Sequence, residues 1–79
     1  MPRKSIEKDK ITKVIGKRVM SFRESNKMTR EVFAKIMDVT QQQVQKYEVG
    51  KNRVPCESLY LLASYFEIPI NYFFNHVEG

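Results

Sequence analysis

Apolar residues recur along this chain at three- and four-residue steps, the spacing of helical faces, which predicts an all-α protein. Ile11, Ile15, Val19 and Phe22 share one face of a first helix, and Asp9, just ahead of them, is suited to cap it. Gly16 lies inside that helix, where a glycine costs roughly 1 kcal/mol relative to alanine but admits a close contact with another helix. The helix should end over residues 24–27, with Asn26 the residue best suited to a left-handed turn. Thr29 then caps a second helix over residues 30–37, whose apolar side is Val32, Phe33, Ile36 and Met37, with Met28 and Phe33 placed as a hydrophobic staple.

Asp38 and Val39 make a turn too short for a strand, and Thr40-Gln41-Gln42-Gln43 then has the form of a capping box, in which the N-cap hydroxyl and the third helical side chain satisfy each other's backbone donors. A third helix over residues 41–49 follows, with Val39 and Val44 as its staple, Val44 and Tyr47 facing inward, and Gly50 closing it. Pro55 suits the first turn of a fourth helix with the face Leu59, Leu62, Ala63 and Phe66, and Pro69 restarts a short fifth helix over residues 70–75. Residues 1–8 bury too little to offset the cost of ordering and are expected to form a flexible basic arm. Residues 9–75 form the domain, and residues 76–79 a soft tail.

Two short helices joined by a tight turn, the second opening with polar residues and followed by a basic loop, describe a helix-turn-helix. Phe33, Ala34, Met37, Val39, Val44 and Tyr47 fall where that motif needs apolar contacts, and the small Ala34 lets its two helices cross closely.

Composition narrows the functional classes. With 79 residues there is room for one modest core and none for a catalytic domain with its own cleft. Fourteen Lys+Arg against nine Asp+Glu give a net charge of +5, which favours polyanionic partners without separating DNA from RNA or anionic lipid. The chain has neither an apolar run long enough for a membrane span nor a secretory signal, so a cytoplasmic protein with no membrane partner is expected. Cys56 and His76 are the lone residues of their types and read as structural or incidental, so no disulfide, metal or cofactor is expected. No Ser/His/Asp set, paired acids or glycine-rich phosphate loop is visible, which argues against an enzyme.

The segments IGKRVMSFR at residues 15–23, MTREVFAKI at 28–36, VTQQQVQKYEVGK at 39–51 and the closing EIPINYFF, in this order and spacing, resemble the repressor-like helix-turn-helix domains of phage repressors and bacterial regulators of the XRE type. The resemblance covers residues 15–74 and implies five helices and operator binding. Transferred by position, it places Gln41, Gln42 and, one turn later, Lys46 against base edges, with Gln43 and Gln45 next in reach. The side chains suit the task. A glutamine amide matches N7 and N6 of adenine as a bidentate pair, while a lysine suits guanine N7 and O6 or a phosphate. Glutamines also suit a merely solvated helix face, but such faces more often mix Glu and Lys, and residues 40–46 contain no carboxylate.

The same resemblance assigns backbone-phosphate contacts to Thr29, Arg30 and Thr40 and to the loop residues Lys51, Asn52 and Arg53. It makes Arg23 and Glu48 a structural ion pair between the first and third helices. Arg30 departs from the glutamine common at its position, Asp38 from the usual turn glycine, and Val49 from a polar residue. Because one copy reads only a few base pairs, a homodimer on a palindromic double-stranded operator is expected, acting as a repressor. Tyr72, Phe73 and Phe74 are more aromatic than one short terminal helix can bury, and are the candidate dimer surface. The alternative is a protein-interaction module, such as an antitoxin or docking partner, that keeps the fold but uses its polar face on another protein.

Overall fold

Thr29 and Thr40 each take an extended backbone and accept a hydrogen bond from the amide three residues on, Val32 N at 3.2 Å and Gln43 N at 3.1 Å, so two helices start where the sequence places hydroxyl caps. The computed structural model describes residues 5–74, with side chains from residue 8 onward. Its α-helices are α1 (Ser5–Ser25), α2 (Arg30–Met37), α3 (Gln41–Glu48) and α4 (Cys56–Phe66), closed by a 3-10 turn over Ile70–Phe73, with no strand among the described residues. The last element is thus a single 3-10 turn rather than a fifth α-helix.

α3 packs across α1 and α2, α4 covers the other side of α2, and the 3-10 turn seals α1 against α4. Val19, Phe33, Met37, Val44, Leu62 and Phe73 are fully buried where these elements meet. Each such side chain contributes roughly 1.5–3 kcal/mol of burial. Ser58 is buried among them because its Oγ donates to the carbonyl of Met37 at 3.0 Å, satisfying one of the free carbonyls at the end of α2. Ala34 is buried at the α2–α3 corner, and its carbonyl accepts from the amides of Asp38 and Val39. Asp38 itself takes the left-handed conformation at φ 60°, ψ 46°, the geometry that a glycine would otherwise supply.

Several expectations need correction. α1 begins at Ser5, so Ser5–Lys8 continue the helix instead of forming an arm, and Asp9 lies inside it rather than capping it. Residues 5–8 hold no helix breaker, and extending a helix already nucleated costs little even on an exposed face. Residues 1–4 and the expected tail 76–79 lie outside the described residues. At the end of α1 the left-handed residue is Lys27 (φ 56°), not Asn26, whose side-chain amide donates to the Phe22 carbonyl at 2.8 Å. Pro55 is the N-cap of α4 rather than its first residue.

The terminal aromatics also differ from expectation. Phe73 is fully buried and meets the Phe22 ring edge-on at 5.7 Å, so it is a core residue and cannot be part of a dimer surface. Tyr72 is half-buried on the same cluster, 5.3 Å from Phe22 and under the guanidinium of Arg18. Arg18 also donates to the Tyr72 carbonyl at 2.8 Å, pinning the closing turn to α1. Of the three, Phe74 is the most open to another molecule, at 41 % exposure.

Candidate nucleic-acid interface

α3 is amphipathic in a way that sorts its residues by task. Val44, Tyr47 and Glu48 are buried, whereas Gln41, Gln42 and Gln45 are exposed and Lys46 is half-buried. Within the described residues the side chains of Gln41, Gln42, Gln45 and Lys46 make no hydrogen bond, and no acidic residue lies in the first turn. Their donors and acceptors are therefore available to an external partner, and Gln41 and Gln42 stand in the first turn, where the free amides and dipole of the helix present positive charge. The Oγ1 of Thr40 accepts from Gln43 N as the cap of this helix, and its O–H remains a donor on an exposed residue.

Gln43 is placed differently from its neighbours. It is half-buried, and its Oε1 accepts from Nδ2 of Asn52 at 3.3 Å. The reciprocal half of the expected capping box is thus replaced by a tie between α3 and the loop that follows it. This removes Gln43 from the group facing outward and orients Asn52. The loop is held again at its backbone, where the amides of Lys51 and Asn52 both donate to the carbonyl of Lys46, at 2.9 and 3.3 Å. Lys51 and Arg53 project from this braced loop as exposed cations. Arg53 also shares a shallow depression with Lys8 and Thr12 of α1, floored by Ile11, Ile15 and Val54, so the basic surface runs on from the loop to the early turns of α1.

What positions α3 is its seat on α1. A Cβ at Gly16 would stand 2.0 Å from the carbonyl oxygen of Tyr47, so only glycine lets the two helix backbones approach this closely. Gly50, at φ +77°, ends α3 over Lys13, with the Cγ of Lys13 only 2.6 Å from where a Cβ would be. Beside Gly16 the junction is charged. The Glu48 side chain is fully buried, and the guanidinium of Arg23 grips it through Nε to Oε2 at 2.7 Å and Nη2 to Oε1 at 3.1 Å. That hydrogen bonding to Glu48 raises the pKa of Arg23 and favours its charged form. Burial likewise pushes the Tyr47 phenol up, keeping it neutral.

Arg30 is where sequence reasoning fell short. Its Nε donates to Oε1 of Glu48 at 2.9 Å, so this candidate phosphate contact is already engaged inside the protein while its side chain stays 40 % exposed. A buried carboxylate at Glu48 needs charged partners, and Arg30, the residue that replaces a neutral amide at the head of α2, was the signal available for a second one. Thr29 beside it is exposed; its Oγ1 accepts from Val32 N as the cap of α2 and keeps its O–H as a donor.

Residues 19–73 match the helix-turn-helix family model. The chain is 40 % identical over 99 % of its length to an uncharacterized HTH-type transcriptional regulator of Rickettsia conorii, of which it covers 62 %. It is 38 % identical over 99 % of its length to one of Rickettsia prowazekii, covering 60 % of that protein. A further relative, an uncharacterized transcriptional regulator in the ATPase CF(0) region of Rhodospirillum rubrum, is 39 % identical over 81 % of this chain and 59 % of its own. The chain therefore spans about three-fifths of the length of these curated relatives.

Proposed function

From the premise that this chain belongs to the XRE-type helix-turn-helix family, we propose that it is a sequence-specific regulator of transcription that reads the major groove of double-stranded DNA with α3. Gln41, Gln42 and Lys46 are the base-reading residues, with Gln45 at the edge of reach. Arg30, Lys51 and Arg53 face the phosphates, and the amides at the capped starts of α2 and α3 add neutral donors. Gln43 and Asn52 act indirectly, by bracing the loop that carries those cations.

The observation that carries this reading is the outward face of α3, four polar side chains with no acidic group in the first turn and no hydrogen-bond partner among the described residues, on a helix seated closely on α1. Binding as a homodimer to a palindromic operator, with repression by occupancy, completes the proposal, and Phe74 is the terminal aromatic left to contact a second copy.

The test is selection from random duplex DNA at fixed salt, on the wild type and on a Gln41→Ala, Gln42→Ala double variant. A palindrome enriched by the wild type and lost by the variant is expected. Failure of the wild type to enrich any sequence would overturn base reading by α3.

One observation favours a second reading, a module that docks proteins. Val32 and Ile36 of α2 and Leu61 and Tyr65 of α4 line an open apolar depression on another face of the molecule, with Tyr65 61 % exposed. Binding through that face would show little dependence on salt, whereas a contact with several phosphates weakens by orders of magnitude between about 50 and 200 mM.

A further inference from the structure

Arg23 and Arg30 both bind the same buried carboxylate, but they do so in different ways. Arg23 is engaged at all three nitrogens: Nε and Nη2 hold Glu48, Nη1 donates to the carbonyl of Met28 at 2.9 Å, Nη2 also lies 4.0 Å from the exposed Glu24 carboxylate, and the side chain is only 11 % exposed. That arginine alone balances the charge of Glu48. Arg30 adds a second cation through a single bond from Nε, and its side chain remains 40 % exposed. A guanidinium is planar with five donors, so one held through Nε keeps its terminal amino groups for a second acceptor. Around Glu48 two guanidiniums meet one buried carboxylate, and the exposed Glu24 lies against Arg23 at 4.0 Å, so Arg30 is the guanidinium left able to take an external anion, on the first residue of α2 and beside its capped N-terminus.

We infer that Arg30 is a phosphate clamp aimed by Glu48, which makes the buried Glu48 a positioning residue for DNA-backbone binding as well as a structural tie. The inference rests on the DNA-binding reading above and deepens it. Glu48 grips α1 through Arg23 and aims the α2 cation through Arg30, so the seat of the recognition helix and one of its phosphate anchors share a single carboxylate. Lysine in place of Arg30 has one ammonium, which cannot lie against a buried carboxylate and reach an external phosphate at once.

The test is affinity for a mixed-sequence duplex of about 20 base pairs as a function of salt, where each lost phosphate contact lowers the slope of log K against log salt by about 0.9. Arg30→Ala should lower the slope by that amount, and Arg30→Lys should bind within about twofold of the alanine variant. The decisive comparison is Glu48→Gln made in the wild type and in Arg30→Ala, each checked for folding by circular dichroism. Action through Arg30 predicts that Glu48→Gln weakens binding in the first background and leaves it unchanged in the second. Equal losses in both backgrounds would reduce Glu48 to a structural role. Should Glu48→Gln unfold, Arg30→Lys decides, because binding equal to wild type would show that charge suffices without the Glu48 anchor. A wild type that binds with a steep salt slope while Arg30→Ala keeps that slope overturns the clamp alone. A wild type with no salt-dependent binding overturns the DNA reading beneath it.

Discussion

The inner and outer faces of α3 are made from the same eight residues, yet they answer to different constraints. On the inner face Val44 and Tyr47 fill the core, the Tyr47 carbonyl rests where any Gly16 side chain would be, and Glu48 is held by two arginines. On the outer face the side chains of Gln41, Gln42 and Gln45 make no hydrogen bond within the described residues. The inner face determines where the helix is; the outer face determines what it meets. A binding surface can vary in sequence without unfolding the domain only if its residues are excluded from the seat, and here the separation is nearly complete, Gln43 being the residue that bridges the two.

This contrast predicts a hierarchy of mutational effects. Gly16→Ala should be the most damaging, destabilising the domain by more than about 3 kcal/mol, although alanine is intrinsically the better helix former by roughly 1 kcal/mol. The added carbon meets a backbone carbonyl that has no rotamer to yield, and urea denaturation would measure the loss. Stability equal to or above wild type would mean that the α1–α3 seat is not as close as described. Glu48→Ala comes next, at about 3 kcal/mol. That is the low end for a broken buried pair, because Arg30 can return to solvent while Arg23 is left largely buried.

Thr40→Ala should cost about 1 kcal/mol by removing the hydroxyl that caps α3, with a matching fall in thermal midpoint. Gln42→Ala sits at the bottom of the stability scale, within about 0.5 kcal/mol of wild type, because its side chain is exposed and unbonded. On the selected operator the order reverses. Gln42→Ala should then lose about 1–3 kcal/mol of discrimination at one base pair, measurable by competition binding, while leaving the denaturation curve in place. A Gln42 variant that changed stability and binding together would collapse the distinction between the faces.

The helix-turn-helix was legible because its boundaries are local chemistry. Thr29 and Thr40 cap within three residues of themselves, Asp38 and Gly50 turn the chain at the ends of α2 and α3, and the apolar spacing marks which side goes in. The exposed set Gln41, Gln42 and Gln45 was equally legible, being whatever a helical face leaves over once Val44 and Tyr47 are assigned inward. The start of α1 and the fate of the terminal aromatics were harder. Residues 5–8 offer too little apolar spacing to mark them as helix, and burial of Phe73 depends on Phe22 reaching it from more than fifty residues away.

Taken alone, the sequence determined the helical class, the caps and turns that bound α2 and α3, and the face that α3 turns outward, since each follows from interactions spanning a few residues. Only the tertiary structure decided that Gly16 is the point of closest approach, that Arg30 shares Glu48 with Arg23, that Gln43 braces Asn52 and that Phe73 belongs to the core. These depend on which residues distant in the chain are brought within a few ångströms. The energy of such a contact is set by the packing of whole helices against one another, and no local periodicity encodes it.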